Sequence, residues 1–136
     1  MNITLHEIRL LKSNFLLNEK ILEEGKEYSI QRELTISISS NDDRKMLKVD
    51  LRVRNKNEDS PFFFDISYQG LFELKADKQV TAEEIDKIGA INCAGIIFPF
   101  IREHLADLTR RAGLPPFHLP PVNFVREYRD QKKAKE

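Results

Sequence analysis

The distribution of proline limits the fold of this chain more than any other feature. Five of its six prolines lie between residues 99 and 121. Pro99 falls inside an apolar run with helical spacing, and the other four form two Pro-Pro pairs at 115–116 and 120–121. Because proline lacks a backbone N–H and holds φ at about −65°, we expect a kinked helix and then a stiff, extended connector over 113–122.

The segment that contains Pro99 has the pattern of one long helix over 81–112. Thr81 and Glu84 form a capping-box sequence at its start, and Gly113 stands where a left-handed C-cap belongs. Apolar or small residues recur along it at every third or fourth position: Ile85, Gly89, Cys93, Ile97, Ile101, Leu105, Leu108 and Ala112. Asn123 predicts the cap of a short helix over 123–132, with 133–136 as a frayed tail.

The first half of the chain has the period-two pattern of β-strands. Apolar and polar side chains alternate over 44–54 and over most of 26–40, where Tyr28 joins the apolar face and Arg32 is an exception. The turn sequence at 41–43 predicts that these runs pair as an antiparallel hairpin. A third run, 61–75, is interrupted by Gly70, which predicts a β-bulge.

The N-terminal segment 3–17 contains two apolar pairs that are out of phase, which predicts a strand with a break. A charged connection is expected over 18–25. Four strands followed by two helices indicate one α+β domain over 1–136, with an antiparallel sheet within 1–75.

Composition excludes several classes of function. Twenty-two basic and 22 acidic residues cancel, so no global field attracts nucleic acid. Cys93 is the only cysteine, which excludes an internal disulfide and a thiolate zinc cluster. The three histidines have no ligand spacing, and no catalytic motif stands out. The sequence therefore predicts a protein without metal, cofactor or enzymatic activity.

Charged residues also interrupt every apolar run near the N-terminus. They are Glu7, Arg9 and Lys12. A signal peptide or a membrane span needs an uninterrupted run, so we expect neither, and we expect a cytoplasmic location.

Two motifs resemble those of the SecB-type protein-export chaperones. F-P-F-I-R-E at 98–103 is similar to the family's kinked-helix segment, and L-P-P-V-N-F at 119–124 is similar to its connector exit. P-F-F-F-D-I-S-Y-Q-G-L-F-E at 61–73 resembles its third strand. The resemblance implies a four-stranded antiparallel sheet, with a long Pro-kinked helix and a short C-terminal helix packed on one side. It also implies a homotetramer built as a dimer of dimers.

The resemblance implies an ATP-independent holdase. Such a protein binds unfolded or precursor polypeptides in apolar grooves for export by the Sec pathway, with the SecA motor as a partner. Two alternatives remain open. One is a dedicated SecB-like chaperone of a toxin–antitoxin system, whose client is an antitoxin. The other is a small-ligand-binding α+β domain, which predicts a monomer or dimer with an enclosed pocket.

Three sets of residues are candidates for binding. The client-binding groove is predicted to be lined by Leu114, Phe117, Leu119, Phe124, Phe98 and Phe100; the alternative is a rigid loop tucked onto the core. Phe63 and Asp65 are predicted to dock a partner, although Lys48, Arg52 and Arg54 make that face less acidic than the family's. Gly89, Cys93 and Ile97 are predicted to pack subunits together, unless they make a close contact within one subunit. Arg102 and Glu103 either fix the connector or are solvated.

Overall fold

The computed structural model describes residues 1–24 and 29–135, so Tyr28 lies outside the described part. The strands are β1 (Asn2–Leu17), β2 (Arg32–Ser40), β3 (Met46–Asn55) and β4 (Phe62–Lys75). They form one antiparallel sheet in the order β1-β4-β3-β2. The helices are α1 (Glu19–Glu24), α2 (Ala82–Ile88), α3 (Ala94–Arg111) and α4 (Phe124–Lys135). The α+β fold with a four-stranded antiparallel sheet is therefore confirmed.

The predicted hairpin joins β2 to β3. The Oδ1 atom of Asn41 accepts hydrogen bonds from the backbone N–H groups of Lys45 and Met46, both at 3.1 Å. Arg44 adopts a positive φ of 57°, which closes the turn. Beyond it the two strands pair over nine residues without a register shift.

The predicted break in β1 is a change of register. One extra residue is accommodated between Leu5 and Glu7, and another between Leu10 and Lys12. The predicted bulge at Gly70 is wrong, because β3 and β4 pair without interruption on both sides of it. Gly70 is instead required by space, since a Cβ atom there would lie 2.5 Å from Cε2 of Phe72.

Three predicted boundaries are also wrong. The connection at 18–25 contains helix α1, which starts where the Asn18 carbonyl accepts from the N–H of Leu22. Strand β2 begins only at Arg32. Arg32 is therefore the first residue of the strand, and a charged side chain is tolerated there although the position faces inward. Helix α4 includes most of the predicted tail, because lysine and alanine have high helix propensity.

The core lies between the inner face of the sheet and the stripe predicted along 81–112. Cys93, Ile97, Ile101 and Leu105 have no exposed surface, and neither do the four inward residues of β3. Those are Leu47, Val49, Leu51 and Val53. The apolar stripe of the helix and the period-two pattern of the strands thus meet in one layer.

The long helix is irregular at Gly89–Cys93, which forms a π-helical turn between α2 and α3. Helix α3 continues through Pro99, so the kink there remains a prediction. The predicted C-cap is confirmed, since Gly113 has a φ of 83° and the N–H of Leu114 donates to the Thr109 carbonyl at 3.0 Å. Among the described helices, none is both long and apolar enough to cross a membrane.

Candidate functional site

The connector between α3 and α4 is packed onto the core. Leu119 has no exposed surface, and only 6% of Phe98 and 8% of Phe124 are exposed. The Phe98 and Phe124 rings meet edge to face, with their centroids 5.8 Å apart. Phe98 and Phe124 nevertheless line a shallow surface pocket of about 250 Å³ together with Val122, so their place in a client groove stays a prediction, whereas Leu119 is sealed within the single chain. Phe117 and Leu114 are half-buried, and Phe100 is 36% exposed.

Two side chains of α3 hold the connector in place. Arg102 Nε donates to the Leu119 carbonyl at 2.9 Å, which confirms the fixing role considered for Arg102. Thr109 Oγ1 accepts from the Phe117 N–H at 2.9 Å and is itself buried. Because the connector's prolines cannot donate, these bonds and the burial of Leu119 fix a segment that has few backbone bonds of its own. The alternative of a rigid loop tucked onto the core describes this segment better.

Helix α3 retains exposed apolar side chains beside the connector. Ile96 and Phe100 are one turn apart, so they lie on the same side of the helix, and they are 38% and 36% exposed. The Phe100 ring lies 6.2 Å from that of Tyr68, between centroids. A surface cleft of about 440 Å³ opens there, with Glu103 and Pro116 among its walls. We call this site the α3 cleft.

His104 closes one side of the α3 cleft and links three elements. Its Nε2 atom lies 2.8 Å from Ser13 Oγ in β1, and its Nδ1 atom lies 3.2 Å from the Tyr68 hydroxyl in β4. Burial, and then the charge of Glu103, raise the pKa of Tyr68. In a catalytic triad a carboxylate balances the charge of the histidine when it is protonated. Here the Tyr68 phenol takes that place and supplies no counter-charge, so the Ser13–His104–Tyr68 group suits a structural role better than nucleophilic catalysis.

The sequence interpretation of His104 as a surface residue missed this bridge. Its partners are 91 and 36 residues away along the chain. The bulges in β1 set which of its side chains face α3, and no local pattern reports that. Thr109 was missed for a similar reason, since its acceptor role depends on where the connector returns.

The outer face of the sheet carries Phe63 and Asp65 on the side away from the helices. Asp65 accepts two bonds from Arg52, at 2.8 and 2.6 Å, and one from Lys12 at 2.8 Å. The hydrogen bonds from Arg52 and then from Lys12 lower the pKa of Asp65 to about 2. Phe63 is half-buried beside Leu16, which is 64% exposed. The Asp65 charge is thus already neutralised by two cations.

Charges of both signs cover that outer face. Its basic residues in the paired strands are Arg9, Lys12, Lys48, Arg52, Arg54 and Lys75, and its acidic residues are Glu7, Glu33, Asp50, Asp65 and Glu73. Several pair with each other, as Arg54 does with Glu33 at 3.0 Å. A partner that selects a strongly acidic surface gains little on such a face.

The residues predicted to pack subunits together are buried within the single chain. Cys93 and Ile97 have no exposed surface, and Gly89 lies so close to β2 that a Cβ atom would be 2.6 Å from Ile38 Cδ1. Gly89 thus makes the close contact within one subunit that the alternative expects, while packing between subunits at these three positions stays a prediction. Burial raises the pKa of the Cys93 thiol to about 12, so it is not reactive.

One cavity of about 550 Å³ lies between the β2–β3 turn and the segment after β4, and charged residues form most of its wall, which does not suit a small apolar ligand. Within residues 1–24 and 29–135, no group of three or more His, Cys, Asp or Glu side chains is placed to hold a metal ion.

Sequence comparisons point to one family. Residues 15–135 match the family model described as preprotein translocase subunit SecB. The chain is 30% identical over 94 residues to the protein-export protein SecB of Jannaschia sp., across 67% of this chain and 53% of that protein. It is 40% identical over 72 residues to the protein of the same name from Methylobacillus flagellatus, across 53% and 44%. These alignments span about half the length of those relatives.

A third alignment is longer. It joins 96% of this chain to 76% of the protein-export protein SecB of Paracoccus denitrificans, at 29% identity over 141 residues.

Solved structures share the fold. One is a Mycobacterium tuberculosis SecB-like chaperone in complex with a ChAD peptide from the HigA1 antitoxin, with a TM-score of 0.66 and 21% identity. That match covers 88% of this chain and 90% of the other. Another is a Streptococcus agalactiae protein of unknown function, with a TM-score of 0.51 and 13% identity, which covers 89% and 98% of the two chains.

Proposed function

The chain belongs to the SecB family, and from that premise we propose that it is an ATP-independent chaperone. It holds unfolded or precursor polypeptides in the cytoplasm for export by the Sec pathway, and it acts by binding rather than by catalysis. The observation that carries the proposal is the exposed apolar side of α3. Ile96 and Phe100 stay exposed on the helix to which Leu119 of the connector is anchored.

The α3 cleft is the proposed contact surface for clients. Each large apolar side chain that a client buries there contributes about 1.5–3 kcal/mol. A few such contacts, less the cost of ordering the client, give reversible binding in about the micromolar range. The fixed connector supports this, because a preordered wall loses little entropy when a client arrives. Phe100 is the central contact, with Tyr68 and Pro116 beside it in the cleft.

The same proposal includes a homotetramer. Edge strand β1 exposes Leu10, Leu11 and Leu16 to 45%, 48% and 64%, which is more apolar surface than an isolated strand usually leaves free. Light scattering should then give roughly 64 kDa, four times the chain mass of 15.9 kDa. A mass near that of the single chain would contradict this part of the proposal.

The chaperone activity is tested by the aggregation of a denatured secretory precursor. Wild-type protein at one chain per precursor should slow the rise in light scattering, and Phe100→Ser should lose most of that protection. Val125→Ser is the matched control, because Val125 is an apolar residue of α4 that is 48% exposed and does not line the α3 cleft. If wild-type protein protects no precursor, the proposed activity is wrong.

A dedicated antitoxin chaperone is the second candidate. The mixed charge of the outer face favours it, because docking on SecA is expected to use an acidic face. Calorimetric titration with SecA separates the two: binding that Phe63→Ala weakens supports export, and no binding supports the dedicated chaperone. In that case an antitoxin should be stabilised on co-expression, while an unrelated precursor should not be.

A further inference from the structure

Helix α4 is held against the rest of the chain by one side only. Phe124 is 8% exposed, and the Lys132 ammonium donates to Glu83 beside the start of α2 at 3.0 Å. Asn123 caps the first turn, because its Oδ1 atom accepts from the N–H of Arg126 at 3.1 Å. These contacts fix which residues of α4 face solvent.

Three cations follow one another along the solvent side of α4. Arg126, Arg129 and Lys133 are all exposed, and their spacing of three and then four residues places them on one side of the helix. Each residue advances the helix by about 100°, so the two acids of α4, Glu127 and Asp130, are displaced to one flank. We call Arg126, Arg129 and Lys133 the α4 stripe.

The α4 stripe lacks partners that other charges of the chain have. Like charges three and four residues apart destabilise a helix. Within residues 1–24 and 29–135, no member of the stripe lies in an ion pair, whereas Arg111 at the end of α3 lies 2.8 Å from Asp107. A row of cations that repel each other in this way is complementary to an anionic surface outside the chain.

The neighbours of the stripe favour a lipid surface over a nucleic acid. Proteins bind single-stranded nucleic acids by stacking bases on aromatic rings, and the aromatic residues of α4, Phe124 and Tyr128, are turned inward. The exposed residue beside the stripe is Val125, which is aliphatic and 48% exposed. An aliphatic side chain among cations suits the boundary of a bilayer, where the cations meet phosphates.

We propose that the α4 stripe adsorbs the protein on a membrane surface that contains anionic lipids. The helix rests on the headgroups without insertion, because its apolar side is packed on the core. Each cation near such a surface raises the affinity about fivefold, and this attraction is screened by salt. The inference goes beyond the proposed function, since the stripe shares no residue with the α3 cleft.

Cosedimentation of the full chain with vesicles tests the proposal. Wild-type protein should bind vesicles of equal parts phosphatidylcholine and phosphatidylglycerol at about 0.1 M salt, and should leave them at about 1 M salt. It should not bind vesicles of phosphatidylcholine alone. Absence of binding to the anionic vesicles, or binding that persists at the higher salt concentration, would overturn the proposal.

Two variants with the same change in net charge locate the surface. The stripe variant Arg126→Gln/Arg129→Gln/Lys133→Gln should bind the anionic vesicles at least thirtyfold more weakly than wild type. The control variant carries Arg9→Gln/Lys48→Gln/Lys75→Gln, which removes three exposed cations from the outer face of the sheet. It should bind within about threefold of wild type, because charges more than about 10 Å away are largely screened. Equal losses in the two variants would overturn the proposal.

Two further measurements do not depend on the folding of the stripe variant. Arg126→Lys/Arg129→Lys keeps every charge and should bind the anionic vesicles within about threefold of wild type, since lipid adsorption requires charge and no fixed geometry. Wild-type protein should also bind a uridine oligonucleotide or polyglutamate at least tenfold more weakly than vesicles of equal anion concentration. Loss of vesicle binding in the lysine variant, or tighter binding to either polymer, would overturn the proposal.

Discussion

The two faces of the sheet are built from alternate residues of the same strands, yet they are held by different forces. The inner face of β4 places Phe62, Ile66 and Phe72 against helices and connector, with at most 2% of their surface exposed. The outer face places Phe63 and Asp65 among charged neighbours, where ion pairs meet water. The inner face therefore supplies most of the folding free energy, and the outer face controls solubility and partner choice.

The largest expected effect is the loss of a connector side chain from the inner face. Leu119→Ala removes a fully buried side chain and should lower the free energy of unfolding by about 2–5 kcal/mol, measured by urea denaturation. Ser37→Ala, at an exposed position on the outer face, should change it by less than about 0.5 kcal/mol. If both substitutions changed the free energy of unfolding by an equally small amount, the connector would not be docked on the core in solution.

A smaller effect on the inner layer is expected from overpacking at the π-helical turn. In Gly89→Ala the new Cβ atom would approach three atoms of Ile38 within 3.0 Å, at a cost of about 1–3 kcal/mol. Gly95→Ala is the control within the same helix, because its nearest neighbour, Phe124 Cδ2, would lie 3.9 Å away. That change should stabilise the protein by about 0.5–1 kcal/mol in thermal unfolding. The inference of close packing fails if both substitutions act alike.

The hydrogen bond between α3 and the connector ranks third. Thr109→Val keeps the shape of the side chain but leaves the partly buried Phe117 N–H without its acceptor. It should cost about 1–3 kcal/mol. Thr35→Val changes an exposed outer-face threonine and should leave the unfolding midpoint unchanged. An unchanged midpoint for Thr109→Val would show that the connector does not depend on this bond.

The smallest effect belongs to the outer face and appears only in acid. The folded-state pKa of Asp65 is lowered to about 2, so its stabilisation is present above its unfolded pKa of about 3.9 and is lost as pH falls toward 2. Since its partners are partly exposed, we expect about 1 kcal/mol. Asp65→Asn should remove this part of the acid-induced loss between pH 4 and 2. Asp42→Asn should leave it in place.

Local pattern predicted the elements whose cause is local. The capping box of Thr81 and Glu84, the C-cap at Gly113 and the hairpin around 41–43 each depend on a few adjacent residues. The break in β1 was predicted too, because a bulge reverses the phase of an apolar alternation. The same reasoning failed at Gly70, where the glycine makes room for the Phe72 ring and leaves the backbone regular.

The candidate site was predicted less well than the fold. Of the six residues predicted to line a groove, Phe100 remains clearly exposed, while Leu119 is sealed in the core. An apolar residue next to a proline looks the same in sequence whether it faces solvent or the core. Its burial depends on Arg102 and Thr109, which come from a different element.

The sequence alone set the order and type of the main elements, the two apolar periodicities and the stiffness of the connector. Each of these depends on backbone preferences within a few residues. Only the tertiary structure decided which apolar side chains stay exposed, how Asp65 is neutralised and which side of α4 faces solvent. Those properties depend on contacts between residues far apart in the chain, where packing and charge pairing, rather than local propensity, determine the free energy.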